Sequence, residues 1–300
     1  QGSAYVFVGS GSSWSEQAKL VASNGGANDR LGLRQCGLDG NTVVIGSFAH
    51  TVGVNTFQGA AYVFVRSGTV WTQQTMLTAT GGAANDWFGY SAGVSGNTAV
   101  VGATGVNGVR GALYVFTRSG TVWTQQANLA ASDGATNDAL GETVFVSGDV
   151  LFGCANFGPG PNDVNQGAVY TATRTGTVWS ALTRVNASDG SATDQFGRGL
   201  SMSGSYLIAG ANQDDVSGIF TNEGSAYVFE GYTNEGYAND PGWVRVPHDN
   251  EIVGGSIAGT KFCFRFHGAH DNHARGVLTQ GCKPVSAEPY GDLQPTGNTL

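Results

Sequence analysis

The nine residues RSGTVWTQQ occupy positions 66–74, recur without change at 118–126, and have a near-copy, RTGTVWSAL, at 174–182. Each copy follows a short apolar run that opens with glycine, such as GAAYVF from Gly59. In four units a tryptophan stands twelve positions after that glycine, although the units differ in length. A fixed offset in a repeat of variable length predicts a repeated structural element. We expect four tryptophans to pack between neighbouring repeats: Trp14, Trp71, Trp123 and Trp179.

One unit contains four runs that predict β-strands. Residues 61–65 form an unbroken apolar run, which is typical of a strand covered on both faces. Residues 70–79 alternate polar and apolar side chains, as a strand nearer a sheet edge does. Residues 88–94 and 98–103 follow, joined by a Gly-Asn pair of the kind that a two-residue hairpin turn requires. Each unit therefore predicts four antiparallel strands.

The units begin near residues 1, 58, 110, 166 and 223, which gives four full repeats and an extra half repeat. Four-stranded units of this length in tandem are typical of a β-propeller, in which each blade is covered by its neighbours. A solenoid is the alternative, although its repeats are usually shorter. We therefore predict an all-β protein, with propeller blades over residues 1–230 and a small, β-rich, Cys-containing domain or docking tail over residues 231–300.

Two short motifs carry a family resemblance. The letters FG at 88–89 precede GAT at 102–104, and FG at 196–197 precedes GAN at 210–212, while LG replaces FG in the other two units. This pattern resembles the FG-GAP repeat of integrin α-subunit propellers and of their bacterial and algal relatives, over about residues 1–230. The resemblance implies a propeller whose loops on one face engage partners.

Relatives of this family often hold calcium in acidic loops, so the resemblance makes calcium a candidate cofactor. Integrin-type sites use a DxDxDG-like run of oxygen ligands, and this chain has no such run. Aspartate also accepts hydrogen bonds from backbone donors in turns, which is the alternative role. The candidate ligands are Asp133, Asp138, Asp189, Asp194, Asp214 and Asp215.

The half-units do not pair evenly. The Tyr-Val-Phe type of hairpin occurs five times and the Phe-Gly type four times, so the first hairpin, residues 2–22, has no Phe-Gly partner before it. An unpaired hairpin exposes backbone groups along its edge, which proteins normally cover. Three arrangements would cover it: a longer parent chain, the C-terminal segment of this chain, or strand addition from another subunit.

Charge and composition narrow the classes of partner. Charged residues make up 12% of the chain and the formal net charge is −8, which argues against a nucleic-acid or anionic-membrane surface. No apolar stretch is long enough to span a bilayer. The chain begins at Gln1 without a leader, which suggests a processed segment that acts outside the cell or at its surface.

Cysteine and asparagine supply the covalent predictions. Cys263 and Cys282 lie close together in a loop-rich stretch and are candidates for a disulfide. Cys36 and Cys154 lie in different repeats, where they either pair or stay buried as thiols. Asn186 begins an Asn-Ala-Ser sequon and is a candidate for glycosylation.

The C-terminal segment contains a candidate zinc site. His267, His270 and His273 lie near Asp271, and imidazole and carboxylate groups are zinc ligands. Their spacing matches no closed structural zinc pattern, so a solvated loop is the alternative. The segment also loosely resembles a repeat of invertebrate mannose-binding lectins, in a Gly-Gly pair, a strand that ends in Arg and a Gly-rich middle. That resemblance would imply contact with glycans.

The sequence contains no recognisable catalytic constellation. A GxSxG elbow and an HExxH motif are both absent, and a turn accounts for the acidic pair at 214–215. Our first hypothesis is a non-enzymatic extracellular structural or adhesion protein that assembles with copies of itself or with other extracellular proteins into a filament or coat. A monomeric glycan- or protein-binding module is the alternative, and a polysaccharide-acting enzyme on a propeller scaffold is the second alternative.

Overall fold

Four antiparallel sheets and one separate hairpin account for most of the regular structure, as each apolar run pairs with the runs next to it in sequence. The structure, a computed structural model, describes residues 1–158, 165–204, 206–215 and 222–230, together with the backbone of residues 232–233, 236–237 and 244–247. Each sheet joins the Phe-Gly or Leu-Gly hairpin of one repeat to the Tyr-Val-Phe hairpin that follows it. The sheets therefore cross the boundaries between the sequence units.

The first three groups of strands follow the chain. The N-terminal hairpin consists of β1 (Ala4–Ser10) and β2 (Ser13–Leu20). Sheet A consists of β3 (Gly37–Asp39), β4 (Thr42–Ser47), β5 (Ala60–Ser67) and β6 (Val70–Leu77), in that spatial order. Sheet B consists of β7 (Phe88–Ser95), β8 (Thr98–Ala103), β9 (Ala112–Ser119) and β10 (Val122–Leu129).

The next two sheets repeat this order with small changes. Sheet C consists of β11 (Val144–Ser147), β12 (Val150–Ala155) and β13 (Ala168–Thr175), and β13 also pairs with β14 (Val178–Trp179) and β15 (Thr183–Val185). In sheet D, β16 (Phe196–Ser203), β17 (Tyr206–Ala211) and β18 (Ser225–Glu230) precede β19 (Tyr232–Thr233) and β20 (Gly236–Tyr237), which pair with each other. The fourth strand of sheet D is β21 (Val244–Pro247), and one helical turn, α1 (Val106–Val109), interrupts the strands of sheet B.

The predicted all-β blade architecture is confirmed. The runs at 61–65, 70–79, 88–94 and 98–103 become β5 to β8, and β6 is an outer strand as its alternating pattern predicted. The glycine of the predicted two-residue turn, Gly96, has a φ of 54°, in the left-handed region that glycine adopts without strain. The solenoid alternative is not what the strands form.

The sheets pack on one another in sequence order. Strand β4 contacts β7, β8 contacts β11, and β12 contacts β16, while the N-terminal hairpin packs on sheet A through Val6 and Ala18. All residues of β4, β8 and β12 are buried, because these strands lie in the middle of a sheet that is covered on both faces. We call each contact between successive sheets a seam.

Glycine allows the sheets to approach closely at two seams. A Cβ atom at Gly46 of sheet A would lie 1.9 Å from the carbonyl oxygen of Gly89 of sheet B. A Cβ atom at Gly102 of sheet B would lie 2.0 Å from the carbonyl oxygen of Gly141 of sheet C. No side chain fits in that space. The glycine of the Phe-Gly or Leu-Gly motif and the first glycine of the GAT-type motif are therefore needed together.

A hydrogen bond between tryptophan and glutamine joins three neighbouring pairs at their outer edge: the N-terminal hairpin and sheet A, sheets A and B, and sheets B and C. The indole Nε1 atoms of Trp71, Trp123 and Trp179 each donate to a glutamine Oε1 atom of the preceding blade at 2.8 Å. The acceptors are Gln17, Gln74 and Gln126. Each acceptor lies where its strand skips one register position, a β-bulge that turns the side chain away from its own sheet.

The remaining letters of the repeated nonapeptide serve the same seam. Arg66, Arg118 and Arg174 lie over the rings of the three tryptophans at 5.1 to 5.5 Å, in cation–π geometry. Gln73 accepts from the backbone N–H of Ser23 at 2.9 Å, and Gln125 accepts from that of Thr80 at 2.8 Å, both in a loop of the preceding blade. The sequence RSGTVWTQQ therefore repeats because its tryptophan and arginine make the same contact with the preceding blade, and its glutamines serve as acceptors.

Trp179 and Trp14 provide a matched test of this contact. Trp179 is 7% exposed and Trp14 is 71% exposed, although both stand at the same position of their units. We expect Trp179→Ala to lower the free energy of unfolding by about 3–5 kcal/mol, because it removes a buried ring. Trp14→Ala is expected to change that free energy by less than about 0.5 kcal/mol. Urea denaturation followed by circular dichroism measures both, and equal losses would contradict the assignment.

Candidate assembly surface

The N-terminal hairpin exposes aromatic side chains that every other blade buries. Tyr5 is 49% exposed and Phe7 is 52% exposed, whereas Tyr62 and Phe64, at the same positions of β5, are 0% and 3% exposed. The difference arises because the N-terminal hairpin covers sheet A, while no described blade covers Tyr5 and Phe7; the Lys19 ammonium lies over the Tyr5 ring at 5.4 Å. Clustered exposed aromatic residues mark interaction surfaces more often than isolated ones.

The same hairpin has an unpaired strand edge. Strand β5 pairs with β4 on one side and β6 on the other, but β1 pairs with β2 alone among the described strands. Among the described strands, none binds the backbone N–H and C=O groups of its second edge. Such an edge is a template for pairing with another strand.

Trp14 differs from the other three tryptophans predicted to pack between repeats. Its ring is exposed because no described blade precedes the N-terminal hairpin, and Gly9 stands where the later units have the arginine that covers the ring. Among the described residues, its indole N–H has no glutamine acceptor. The seam contact of the other tryptophans is therefore missing at this end of the array.

Sheet D has a second uncovered face. Ile208 is 43% exposed, whereas Val44, Val100 and Phe152, at the same position of the other sheets, are 0% exposed. A Cβ atom at Gly210 would have no neighbour nearer than 3.9 Å, in contrast to the 1.9 Å found at the equivalent Gly46. An open depression of about 440 Å³ lies here, lined by Arg198, Gly199, Gly210, Asn212 and Gly224, among others.

One aspartate in each repeated loop closes a tight turn. The carboxylate of Asp29, Asp86, Asp138 or Asp194 accepts a hydrogen bond at 2.5 to 2.7 Å from the backbone N–H three residues before it. The residue after each aspartate has a φ between 54° and 62°, so the turn has the same backbone shape in all four loops. The candidate calcium ligands chosen from the sequence include Asp138 and Asp194 but not Asp29 and Asp86. The repeated Asn-Asp pair in these loops could have indicated the latter two.

The other candidate calcium ligands contact tyrosines or the backbone. Asp133 accepts from the Tyr170 hydroxyl at 3.0 Å and Asp189 from the Tyr227 hydroxyl at 2.8 Å. Asp214 also accepts from Tyr227, at 3.1 Å, and from the hydroxyl of Ser225, while Asp215 accepts from the backbone N–H of Asn222 at 2.6 Å. No group of three or more His, Cys, Asp or Glu side chains in the described part of the chain is arranged to hold a metal ion. Calcium binding stays a prediction.

Asp29 also contacts the histidine of the repeat region. The Nδ1 atom of His50 lies 2.7 Å from a carboxylate oxygen of Asp29, and both side chains are buried. The pair stands in the first repeated loop, where it links the turn aspartate to the segment after β4. Sequence reasoning did not predict this pair, because the two residues lie 21 positions apart, in the loops before β3 and after β4.

A pocket between sheets B and C combines aromatic and polar side chains. Its volume is about 440 Å³, and its lining includes Trp87, Tyr90, Glu142 and Phe157. The Tyr90 hydroxyl donates to Glu142 at 3.4 Å, and among the described residues the buried Thr104 hydroxyl at the pocket has no hydrogen-bond partner. The pocket therefore offers aromatic surface beside a carboxylate and an unsatisfied hydroxyl.

The structure separates the two cysteines of the repeat region. Cys36 is an exposed free thiol before sheet A, and Cys154 is a buried free thiol in β12 of sheet C, so the Cys36–Cys154 disulfide alternative is wrong. Burial raises the pKa of the Cys154 thiol to about 12, which keeps it protonated. Asn186 lies directly after β15 and is half-buried.

Several predictions from the sequence fall on residues that the structure does not describe. The candidate disulfide of Cys263 and Cys282 and the candidate zinc site of His267, His270 and His273 lie outside the described residues. The same holds for most of the predicted C-terminal domain, 231–300. Within the described residues, no helix has the length and apolar character needed to cross a membrane.

Asp194 provides a test of the turn assignment through pH. The pKa of this carboxyl is raised from 3.8 to about 6: burial is the largest cause, the hydrogen bond from Ser191 opposes it, and the nearby carboxylates of Asp214, Asp215 and Asp189 add to it. Between about pH 4 and about pH 6 the native state then binds more protons than the unfolded state, so stability falls as the pH rises through that range.

We expect Asp194→Asn to remove this part of the pH dependence, because asparagine stays neutral and its carbonyl oxygen still accepts from Ser191. The measurement is the urea midpoint at several pH values in that range. Asp86→Asn, at the equivalent turn of sheet B, is the matched control. Identical pH profiles for Asp194→Asn and the unmodified chain would contradict the prediction.

The repeat units of this chain match a known protein family. A family model described as FG-GAP repeat matches four segments of the chain: residues 14–64, 71–116, 123–172 and 179–229. Each match begins at one of the four tryptophans and extends to the apolar strand of the next unit. Together the matches cover more than half of the chain. No curated protein matches it.

Proposed function

The chain belongs to the FG-GAP repeat family, and on that basis we propose that it is a non-enzymatic extracellular structural or adhesion protein whose blades mediate protein–protein assembly. FG-GAP repeats form β-propeller modules for protein–protein interaction. The finer part of the proposal is that assembly joins copies of this chain, or this chain and other extracellular proteins, into a filament or coat.

The observation that carries the proposal is the uncovered N-terminal hairpin. Tyr5, Phe7 and Trp14 expose about half or more of their surface at one end of the array, beside an unpaired strand edge. At the other end, sheet D exposes Ile208 and the depression at Gly210. Among the described residues these two different ends are uncovered, an arrangement that supports heterologous, head-to-tail contacts, which extend into filaments when they do not close into a ring.

Two further observations support the non-enzymatic and extracellular parts. The turn aspartates of the four repeated loops accept backbone hydrogen bonds, which gives these carboxylates a structural role in the turns. FG-GAP repeats occur mostly in extracellular or surface proteins. A surface with few charged residues and many Ser and Thr hydroxyls suits a protein of a coat or matrix.

The mass of the native protein in solution tests assembly. We expect light scattering to give multiples of 30.8 kDa that increase with concentration, and electron micrographs to contain elongated species. Phe7→Glu is expected to reduce the mass, because it places a charge in the uncovered aromatic surface. Val122→Glu, at the exposed start of β10, is the control. A mass of 30.8 kDa at every concentration would refute self-assembly.

A monomeric glycan- or protein-binding module is the second candidate, and the pocket between sheets B and C favours it. Aromatic rings stack on apolar faces of ligands, while Glu142 and the Thr104 hydroxyl supply polar partners. On this hypothesis Trp87→Ala weakens binding about tenfold or more in a titration against glycans and extracellular proteins. Trp14→Ala, remote from the pocket lining, is the control. Equal binding by both variants would contradict a site at this pocket.

A further inference from the structure

The pocket between sheets B and C lies where the preceding seam is filled by aromatic rings. At the seam of sheets A and B, the ring of Phe48, directly after β4, lies 5.3 Å from the ring of Tyr90. Thr104, directly after β8, and Glu142, directly after the Leu-Gly motif, hold the two corresponding positions of the next seam. A hydroxyl and a carboxylate thus replace two rings, and a space of about 440 Å³ lies beside them. Pockets for small molecules typically measure about 300–1,000 Å³.

Two aromatic rings of the lining are available to a ligand. The Tyr90 ring is already covered, because the guanidinium of Arg34 lies 4.6 Å from its centroid. Phe157 is 38% exposed and Trp87 is half-buried. Among the described residues, no cation and no other ring lies against either of them. Trp87 and Phe157 therefore supply the apolar platform of the pocket.

The Glu142 carboxylate is oriented by neutral donors. The side-chain amide of Asn156 donates to one carboxylate oxygen, and the Tyr90 hydroxyl donates to the other at 3.4 Å. Among the described residues, no Lys, Arg or His forms an ion pair with this carboxylate. Each oxygen of a carboxylate has two acceptor sites, so each retains one for a ligand. Glu142 therefore offers two fixed acceptors on a negatively charged group.

The other polar groups of the described lining can donate as well as accept. Asn137 has a side-chain amide, and the buried Thr104 hydroxyl has no hydrogen-bond partner among the described residues. A ligand with hydroxyl groups satisfies such a mixed set, because a hydroxyl both donates and accepts. An ammonium ion only donates, while a carboxylate or sulfate only accepts and would lie beside Glu142. The lining therefore favours an uncharged ligand that carries several hydroxyls.

We propose that this pocket binds an uncharged saccharide. One sugar ring packs its C–H face on Trp87 and Phe157, while neighbouring hydroxyls of the sugar donate to Glu142. The described lining contains no Lys or Arg that would offset a second negative charge. Repulsion from the Glu142 carboxylate therefore disfavours uronic acids and sulfated sugars. The inference rests on the second candidate function, the glycan- or protein-binding module, and names the ligand class of its pocket.

A panel of paired saccharides tests this ligand class. The probes are neutral oligosaccharides of glucose, galactose, mannose, xylose and N-acetylglucosamine, each compared with an acidic counterpart that carries a uronic acid or a sulfate. We expect isothermal titration of the full chain to show saturable binding of at least one neutral oligosaccharide. Its acidic counterpart is expected to bind about tenfold more weakly or worse, because it brings a second negative charge to Glu142.

Variants of the pocket wall test the location of the site. Thr104→Phe copies Phe48 of the preceding seam, and we expect it to weaken saccharide binding about tenfold or more, because the added ring fills the space. Phe157→Ala removes part of the aromatic platform and is expected to weaken binding by a similar factor, about tenfold. The fold of this variant is expected to persist, because Phe157 is partly exposed. Val122→Glu, outside the lining, is the control, and circular dichroism checks the fold of each variant.

Glu142→Gln tests the charge of the site. Glutamine keeps the shape of the side chain and one acceptor, so binding of the neutral sugar is expected to weaken about tenfold through the loss of a charged acceptor. Discrimination against the acidic counterpart is expected to disappear, because no negative charge remains in the described lining. Equal weakening of both sugars would contradict a contact between Glu142 and the ligand.

Failure of this inference and failure of the function on which it rests give different results. Absence of saturable binding to every neutral oligosaccharide would overturn the inference, as would binding that ignores both Thr104→Phe and Phe157→Ala. If an extracellular protein binds through Trp87 and withstands enzymatic deglycosylation, the binding module stands and the saccharide ligand is wrong. If deglycosylation abolishes that binding, a protein-attached glycan is the ligand and the inference is supported. Absence of any ligand that depends on Trp87 would refute both.

Discussion

The close approach of glycine backbones at the seams sets the spacing of the array. Where Gly46 meets Gly89 and Gly102 meets Gly141, no Cβ atom fits between neighbouring sheets. Sheets held this near to each other bury the whole of β4 and β8, so these strands consist of small and β-branched residues. The two glycine motifs of the family are thus the two sides of one contact, although they come from different units. At the third of these seams Cys154 replaces the first glycine of the later motif, and a Cβ atom at Gly197 would lie 2.9 Å from the Cβ atom of that cysteine.

The glycine contact holds the inner part of each seam, and the tryptophan contact holds the outer part. An indole N–H that is partly buried needs an acceptor, and the bulged glutamine of the preceding blade supplies it in three seams. The bulge has a cost in ladder hydrogen bonds, but it turns a side chain from its own sheet to the next one. Unit four lacks this glutamine, since Leu182 stands three residues after Trp179. Its outer strand is also the one that divides into β14 and β15.

Much of the fold could be predicted from the sequence, because the repeats give several independent readings of one pattern. The strands, the hairpin glycines and the unpaired first hairpin all follow from periodicity and spacing. The pairing register of the strands was harder to predict, because the bulge at Gln74 does not change the alternation of polar and apolar residues in the sequence. Exposure could not be predicted either, because Trp14 and Trp179 share a sequence position, yet a described blade precedes Trp179 alone. The pair of His50 and Asp29 depends on the course of a loop, which periodicity does not specify.

The direction of the tryptophan contact bears on how such arrays change in length. Every donor indole reaches back to the preceding blade, and every bulged glutamine reaches forward, so an inner unit carries one donor and one acceptor. Duplication of a whole unit inserts a donor and an acceptor together, and deletion removes both. No polar group is then left unsatisfied inside the array. Duplication can therefore lengthen this protein, and deletion shorten it, one blade at a time, and the two identical nonapeptides at 66–74 and 118–126 agree with duplication of a unit.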